Sequence, residues 1–182
     1  DTTDNYLETK IADLDITRAW YDSPLFVFSK KEAVERFVNS KKFMAQFYKQ
    51  LRQDKQILVD DTGEPIGGKW SFDEDNRKKL PKHIELPEDL AFFGNEATKE
   101  AEEWAELVEA EVYGEAGCWL PYTHAGAEKF LQEFFRTRFA DFGPYEDAMT
   151  TEGTRLFHSA ISPLLNVGLL TPNHVLTEAL EY

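Results

Sequence analysis

Cysteine is nearly absent from this 182-residue chain: Cys118 is the single example. One thiol closes no intramolecular disulfide, so the chain is not a small scaffold held by cross-links. Nor can it alone hold an iron–sulfur cluster, which needs about four thiolates. Histidine is scarce as well. His83, His124, His158 and His174 lie far apart and show none of the short spacings of a zinc site. No apolar run is long enough to span a bilayer and no signal peptide is visible, so we expect no membrane association and a cytoplasmic location. Positive charge is in deficit, with 20 Lys and Arg against 34 Asp and Glu and a formal net charge of −14. That balance opposes binding of nucleic acid by the surface as a whole, because phosphate contacts need positive potential. The chain opens Asp1-Thr2-Thr3-Asp4 without an initiator Met, which suggests a trimmed chain or a piece of a longer one.

What the sequence does hold is apolar and aromatic. Hydrophobic residues make up 42% of it, and it carries 14 Phe, 7 Tyr and 4 Trp, enough for a globular helical core packed with rings. The length suits one good core or parts of two domains. Asp4 or Asn5 can cap a short helix whose face is marked by Leu7, Ile11 and Leu14. Residues 15–21 then read as a strand and residues 25–28 as a second short apolar run. A helix followed by a strand resembles the last unit of an α/β sheet whose other strands are missing. Ser29-Lys30-Lys31-Glu32 is a capping box, followed by a stripe of Ala33, Val34, Phe37 and Val38. Beyond a break near Ser40, a further helix carries Phe43, Met44, Phe47, Tyr48 and Leu51. Lys41, Lys42, Lys49 and Arg52 among these rings read as a solvated basic face in preference to a ligand site.

Residues 57–87 form a long connector with turn chemistry at Asp61-Thr62-Gly63, a flexible joint at Gly67-Gly68 and prolines at its close. A structureless stretch of this length is functional or joins domains. Gly67-Gly68-Lys69 lacks the strand–loop–helix frame of a phosphate loop. Basic residues gather between Lys69 and Lys82. Trp70 and Phe72 are candidate packing anchors. From Asn95 to Tyr113 the sequence is acidic, with Ala97, Ala101, Trp104, Leu107, Val108 and Val112 at helical spacing and glutamates opposite as a solvated face. Residues 114–117 break the chain. Thr123 can cap the next helix, whose stripe is Ala127, Phe130, Leu131, Phe134 and Phe135. Near the C-terminal end, Ser162-Pro163 is a helix start in which the Ser hydroxyl caps the first turn. Leu164, Leu165 and Val167 give an apolar turn, Gly168 can end it in a left-handed conformation, and Thr171-Pro172 starts another helix. Ser159 and Ser162 thus flank backbone N–H groups that suit an anion.

Three stretches, in this order, resemble one family. Gly67-Gly68-Lys69-Trp70-Ser71-Phe72-Asp73, with Asn76-Arg77-Lys78 after it, is similar to the interdomain signature of the deoxyribodipyrimidine photolyase-related proteins. Those are the prokaryotic photolyases and cryptochromes that carry an iron–sulfur cluster. Ser71 stands where Asn or Tyr is more usual. Phe142-Gly143-Pro144-Tyr145-Glu146-Asp147-Ala148-Met149, with Arg138 and Phe139 ahead of it, resembles a second family segment; Phe139 replaces Leu. His158-Ser159-Ala160-Ile161-Ser162-Pro163 resembles the family's FAD-diphosphate segment.

The resemblance implies a mainly α chain. Residues 1–28 would be the remnant of an α/β antenna domain, residues 29–94 a helical and extended interdomain connector, and residues 95–182 the first part of an all-α FAD domain. It implies a light-dependent FAD flavoprotein that repairs UV pyrimidine dimers, of the (6-4) type, by electron transfer from reduced FAD. UV-damaged DNA would be the partner. His158, Ser159, Ile161 and Ser162 would face the FAD ribityl–diphosphate region, with Tyr145 on the same pocket wall. Asp73, Asn76 and Arg77 would lie on the DNA side. A [4Fe–4S] cluster and an antenna chromophore are implied too, with ligands outside this chain, as are the proton donor and the electron-relay tryptophans. Other classes stay open: an acidic helical binding module without catalysis, or a cryptochrome-like photoreceptor. Serine hydrolase chemistry at Ser159 is disfavoured, because adjacent His158 points away from it on a helix and no Gly-x-Ser-x-Gly elbow is present.

Overall fold

A computed structural model of the chain describes residues 5–38, 43–88, 94–107, 113 and 117–182. The expected roles of Asp4, Ser40, Lys41, Lys42, Val108 and Val112, and the break over residues 114–116, fall outside those residues. The chain is mainly helical. In order it forms α1 (Asn5–Ala12), α2 (Lys30–Val38), α3 (Met44–Asp54), α4 (Glu96–Leu107), α5 (His124–Thr137), α6 (Phe139–Tyr145), α7 (Ser162–Asn166) and α8 (Pro172–Glu181), with a 3-10 turn at Asp73–Asp75. The strand pairing among the described residues is one isolated antiparallel bridge, Val59 to Pro65. The strand predicted at residues 15–21 is not formed, and residues 24–28 are turns and bends. A strand needs a neighbour for its N–H and C=O groups. None is available to it among the described residues, and Ile16, Trp20 and Tyr21 stay exposed.

Two compact units divide the chain. The first comprises Asp1–Glu74 and Thr171–Leu176. Its capping box closes in both directions, the Glu32 N–H donating to Ser29 Oγ at 3.1 Å and the Ser29 N–H to Glu32 Oε2 at 2.8 Å. Its small core is aromatic. Phe47 is buried, with Phe37 stacked on it at 4.7 Å and Phe28 edge-on at 5.4 Å. Val34 and Val38 of the α2 stripe remain exposed.

Arg52 does not belong to a solvated face: it is only 6% exposed. Its guanidinium donates to the carbonyls of Ile57 (3.1 Å), Leu58 (2.6 Å) and Trp70 (3.2 Å). The planar fork can serve several carbonyls at once, and here it fastens the start of the connector to α3. Trp70 is the anchor expected, with Lys49 Nζ 4.5 Å and the Arg52 guanidinium 5.1 Å from its ring. Phe72 is half exposed. Gly67 has φ +87°, and a Cβ there would meet the Phe72 ring at 3.1 Å, so glycine is required by both backbone and space.

The second unit comprises Asp75–Leu170 and Thr177–Tyr182. Thr123 caps α5 as its sequence predicts, accepting from the Gly126 N–H. The predicted stripe is the core: Ala127, Phe130, Leu131, Phe134 and Phe135 are all buried. Phe142 stands edge-on to Phe134 at 5.5 Å, and Phe139 stands edge-on to Phe135 at 5.1 Å. By contrast α4 buries none of its residues, and Trp104 and Leu107 are exposed. Its apolar stripe has no covering surface among the described residues.

Candidate functional site

A buried polar cluster organises the second unit. Glu133 lies three residues after Phe130, on the buried side of α5. Its Oε1 accepts from Arg138 Nη1 and its Oε2 from Arg155 Nη2, the latter at 3.1 Å. Arg138 also donates from Nε to the Leu156 carbonyl at 3.0 Å and from Nη2 to the carbonyls of Pro87 (3.1 Å) and Glu88 (3.0 Å). The Arg155 guanidinium lies 4.2 Å from the Phe130 ring centre, and its Nη2 reaches the Ser159 carbonyl at 3.4 Å. Two guanidiniums and one carboxylate thus fasten α5, the end of the connector and the segment at residues 155–159 together. This cluster was not picked out from the sequence. The signal was present: a glutamate within an apolar helical stripe needs a buried cation.

That cluster holds the stretch carrying the predicted cofactor residues. The His158 N–H donates to the Arg155 carbonyl at 3.0 Å. Leu156 and Ala160 both have left-handed φ, +51° and +53°, so the chain turns sharply on each side of His158 and Ser159. His158, Ser159 and Ile161 are half-buried, while Ser162 is exposed. The hydroxyls of Ser159 and Ser162 have no hydrogen-bond partner among the described residues. Tyr145 ends α6 and packs on Phe157, the residue before His158, with ring centres 5.6 Å apart. Tyr145 thus lies beside the residue that precedes His158.

The helix start differs from expectation in one respect. Ser162 is the first helical residue and not the cap; that position falls to Ile161, which lends no side-chain cap, and its carbonyl accepts from the Leu165 N–H. A residue already in the helical turn cannot reach round to its own first N–H groups. At the other end Gly168 (φ +76°) closes α7 as predicted. Its N–H donates to the Leu165 carbonyl at 3.1 Å and the Leu169 N–H to the Leu164 carbonyl at 2.9 Å, a Schellman closure. Thr171 does cap α8, with Oγ1 3.3 Å from the His174 N–H.

The connector residues predicted for the DNA side part company. Asp73 opens the exposed 3-10 turn of the first unit. Asn76 is only 7% exposed in the second unit; its amide donates to Glu146 Oε2 at 3.5 Å and its carbonyl accepts from the Asp147 N–H at 3.2 Å. Arg77 is exposed, and its Nε lies 3.2 Å from Asp147 Oδ2. It joins Lys78, Lys79 and Lys82 along one wall of an open groove of about 470 Å³, with Asp147, Met149 and Glu152 along the other. Among the described residues, no three His, Cys, Asp or Glu side chains are placed to hold a metal ion. With Cys118 its one thiol, the chain does not fit an iron–sulfur cluster by itself.

Sequence comparison defines the family. The profile of the deoxyribodipyrimidine photo-lyase-related proteins matches residues 1–118. The chain belongs to that family. It is similar to a (6-4) photolyase of Agrobacterium fabrum, 30% identical over 128 residues, which are 70% of this chain and 25% of the relative. It is also similar to two uncharacterized proteins of Acanthamoeba polyphaga mimivirus. One is 32% identical over 93 residues, covering 46% of this chain and 47% of the viral protein; the other is 51% identical over 37 residues, covering 20% and 29%. The chain thus spans about a quarter of the length of the photolyase and less than half of either viral protein. The profile match contains the connector signature and ends before Tyr145 and the 158–162 segment.

Proposed function

We propose that this chain is part of a light-dependent FAD flavoprotein that repairs UV lesions in DNA, of the (6-4) type. In this reading residues 1–28 close an antenna domain, residues 29–94 connect, and residues 95–182 begin the FAD domain. Family membership sets the class, and the observation that carries the finer reading is the pair of available hydroxyls on Ser159 and Ser162 at a sharp turn beside the start of α7. Hydroxyls so placed donate to the oxygens of a diphosphate. His158 and Ile161, both half-buried, would wall the ribityl side, and Tyr145 would close the pocket across Phe157. Arg155 fixes the height of this segment through the Ser159 carbonyl. Held by these residues, reduced FAD would supply light-driven electron donation to the lesion and would take the electron back after repair. The protein's share is to position that cofactor and keep the segment rigid.

The test is made on the complete gene product that contains this chain. Purified protein is expected to carry FAD, measured by absorbance per chain, and to remove (6-4) lesions from UV-irradiated DNA in the light but not in the dark. Flavin with photoreduction but no repair would place the protein with the photoreceptors. A preparation that neither carries nor takes up flavin would overturn the flavoprotein reading in favour of a binding module.

A further inference from the structure

We propose that the groove between residues 77–86 and residues 147–152 is a clamp for the phosphate backbone of DNA, indifferent to base sequence and to the lesion. This rests on the reading of the protein as one that acts on DNA. The groove is a built feature. Its two walls are tied by the Arg77–Asp147 pair at 3.2 Å, by the Lys78 N–H on the Pro144 carbonyl at 3.1 Å and by the Asp147 N–H on the Asn76 carbonyl. Four cations within six residues, Arg77, Lys78, Lys79 and Lys82, line it against two carboxylates, Asp147 and Glu152. In a chain of net charge −14 this is a local inversion of sign, and it is where a polyanion would be drawn.

The cations divide by their partners. Asp147 occupies Arg77, whereas the ammonium groups of Lys78, Lys79 and Lys82 have no carboxylate partner among the described residues. All three lysines are exposed, so the groove lies open to an extended ligand and does not close round a small one. Among the described residues no aromatic side chain lines it, and its apolar lining comes from Leu80, Pro81, Ile84, Leu86, Ala148 and Met149. A pocket for a flipped base uses stacking rings and hydrogen-bonding side chains. Flexible lysines without rings suit phosphates, which carry no sequence information.

The experiment measures binding of labelled duplexes, with and without a UV lesion, to the flavin-loaded complete gene product between about 50 and 200 mM salt. Each phosphate contact contributes about 0.9 to the slope of log K against log salt. The triple variant Lys78→Gln, Lys79→Gln, Lys82→Gln is expected to flatten that slope by roughly 2–3, equally for both duplexes, leaving the lesion preference unchanged. Asp147→Asn is expected to do the opposite. It releases Arg77 and steepens the slope by up to about one, an outcome that misfolding cannot imitate. An unchanged slope in both variants, with wild-type binding intact, overturns the clamp while leaving the repair reading standing. A selective loss of lesion preference in the triple variant overturns it too, since the groove would then read the lesion. Inorganic phosphate that competes fully at millimolar concentration would show a site for free phosphate and likewise overturn it. Absent lesion preference or absent light-driven repair in the wild type instead sinks the reading of function.

Discussion

Arg155 donates to Glu133 at 3.1 Å, and the two side chains are no more than 4% exposed. Because Arg138 binds the other oxygen of the same carboxylate, one residue balances two buried guanidiniums. Removing one partner of a buried pair leaves an uncompensated charge, at a cost of about 3–5 kcal/mol. Glu133→Ala should therefore destabilise the second unit by at least that amount, and Glu133→Gln by less, because the amide oxygen still accepts one hydrogen bond. Urea unfolding of both variants measures this. A loss below about 1 kcal/mol for Glu133→Ala would mean the cluster is not held by its carboxylate.

Arg52 makes a second test of buried cation geometry. It serves three backbone carbonyls, those of Ile57, Leu58 and Trp70. Hydrogen bonds from charged donors contribute about 1.5–3 kcal/mol each, and they are not additive here because the three share one group. Arg52→Lys should lower stability by roughly 2 kcal/mol, since a point ammonium cannot span three acceptors. Amide hydrogen exchange over residues 57–70 should rise in the variant. Unaltered exchange there would show that the connector is fastened elsewhere.

The turn at Asp60 supplies a pH-dependent prediction. The Thr62 hydroxyl and the Glu64 N–H hold the Asp60 carboxyl below its ordinary value. A carboxylate depressed in the folded state adds stability above its unfolded pKa, and that stability is lost as pH falls through the folded pKa. Protection of the Thr62 and Glu64 amides, corrected for the intrinsic exchange rate, should fall as pH drops below the ordinary carboxylate range of about 4, and Asp60→Asn should abolish that dependence. A pH profile identical in the two proteins would remove Asp60 as its cause.

Most signals whose partner lies nearby along the chain were legible in the sequence; the Ser162 cap is the exception, because Ser162 is already the first helical residue. The Ser29–Glu32 box, the Thr123 and Thr171 caps and the Gly168 stop all close within a few residues and formed as read. The other misreadings arose where the partner is distant or missing. Residues 15–21 carry strand chemistry but have no neighbouring strand among the described residues. Arg52 was read as solvated because its acceptors are carbonyls, which composition does not reveal. Glu133 needed Arg155, 22 residues away, to make sense. At the candidate site, the sequence singled out the segment around His158, whereas the contact that ties this segment to the buried cluster, Arg155 on the Ser159 carbonyl, is visible only in three dimensions.

Ser159 and Ser162 give the final prediction, because the structure separates two roles that the sequence combined. Had Ser162 capped α7, its loss would have cost about 1 kcal/mol of apo stability. It is instead exposed at the first helical position with its hydroxyl unengaged, and Ser159 is likewise unengaged. Both Ser159→Ala and Ser162→Ala should therefore leave the apo melting temperature unchanged. If each hydroxyl donates to a diphosphate oxygen, losing that charged hydrogen bond removes about 1.5–3 kcal/mol, or roughly ten- to a hundredfold in FAD affinity. A third variant, Ser159→Thr, keeps the hydroxyl and should retain most of the bound flavin. The measurement is bound flavin per chain in the complete gene product, set beside apo melting curves for all three. Wild-type flavin occupancy and affinity in both alanine variants would leave the proposed diphosphate contact without support. A fall in apo melting temperature for Ser162→Ala alone would restore its capping role and contradict the helix start observed here.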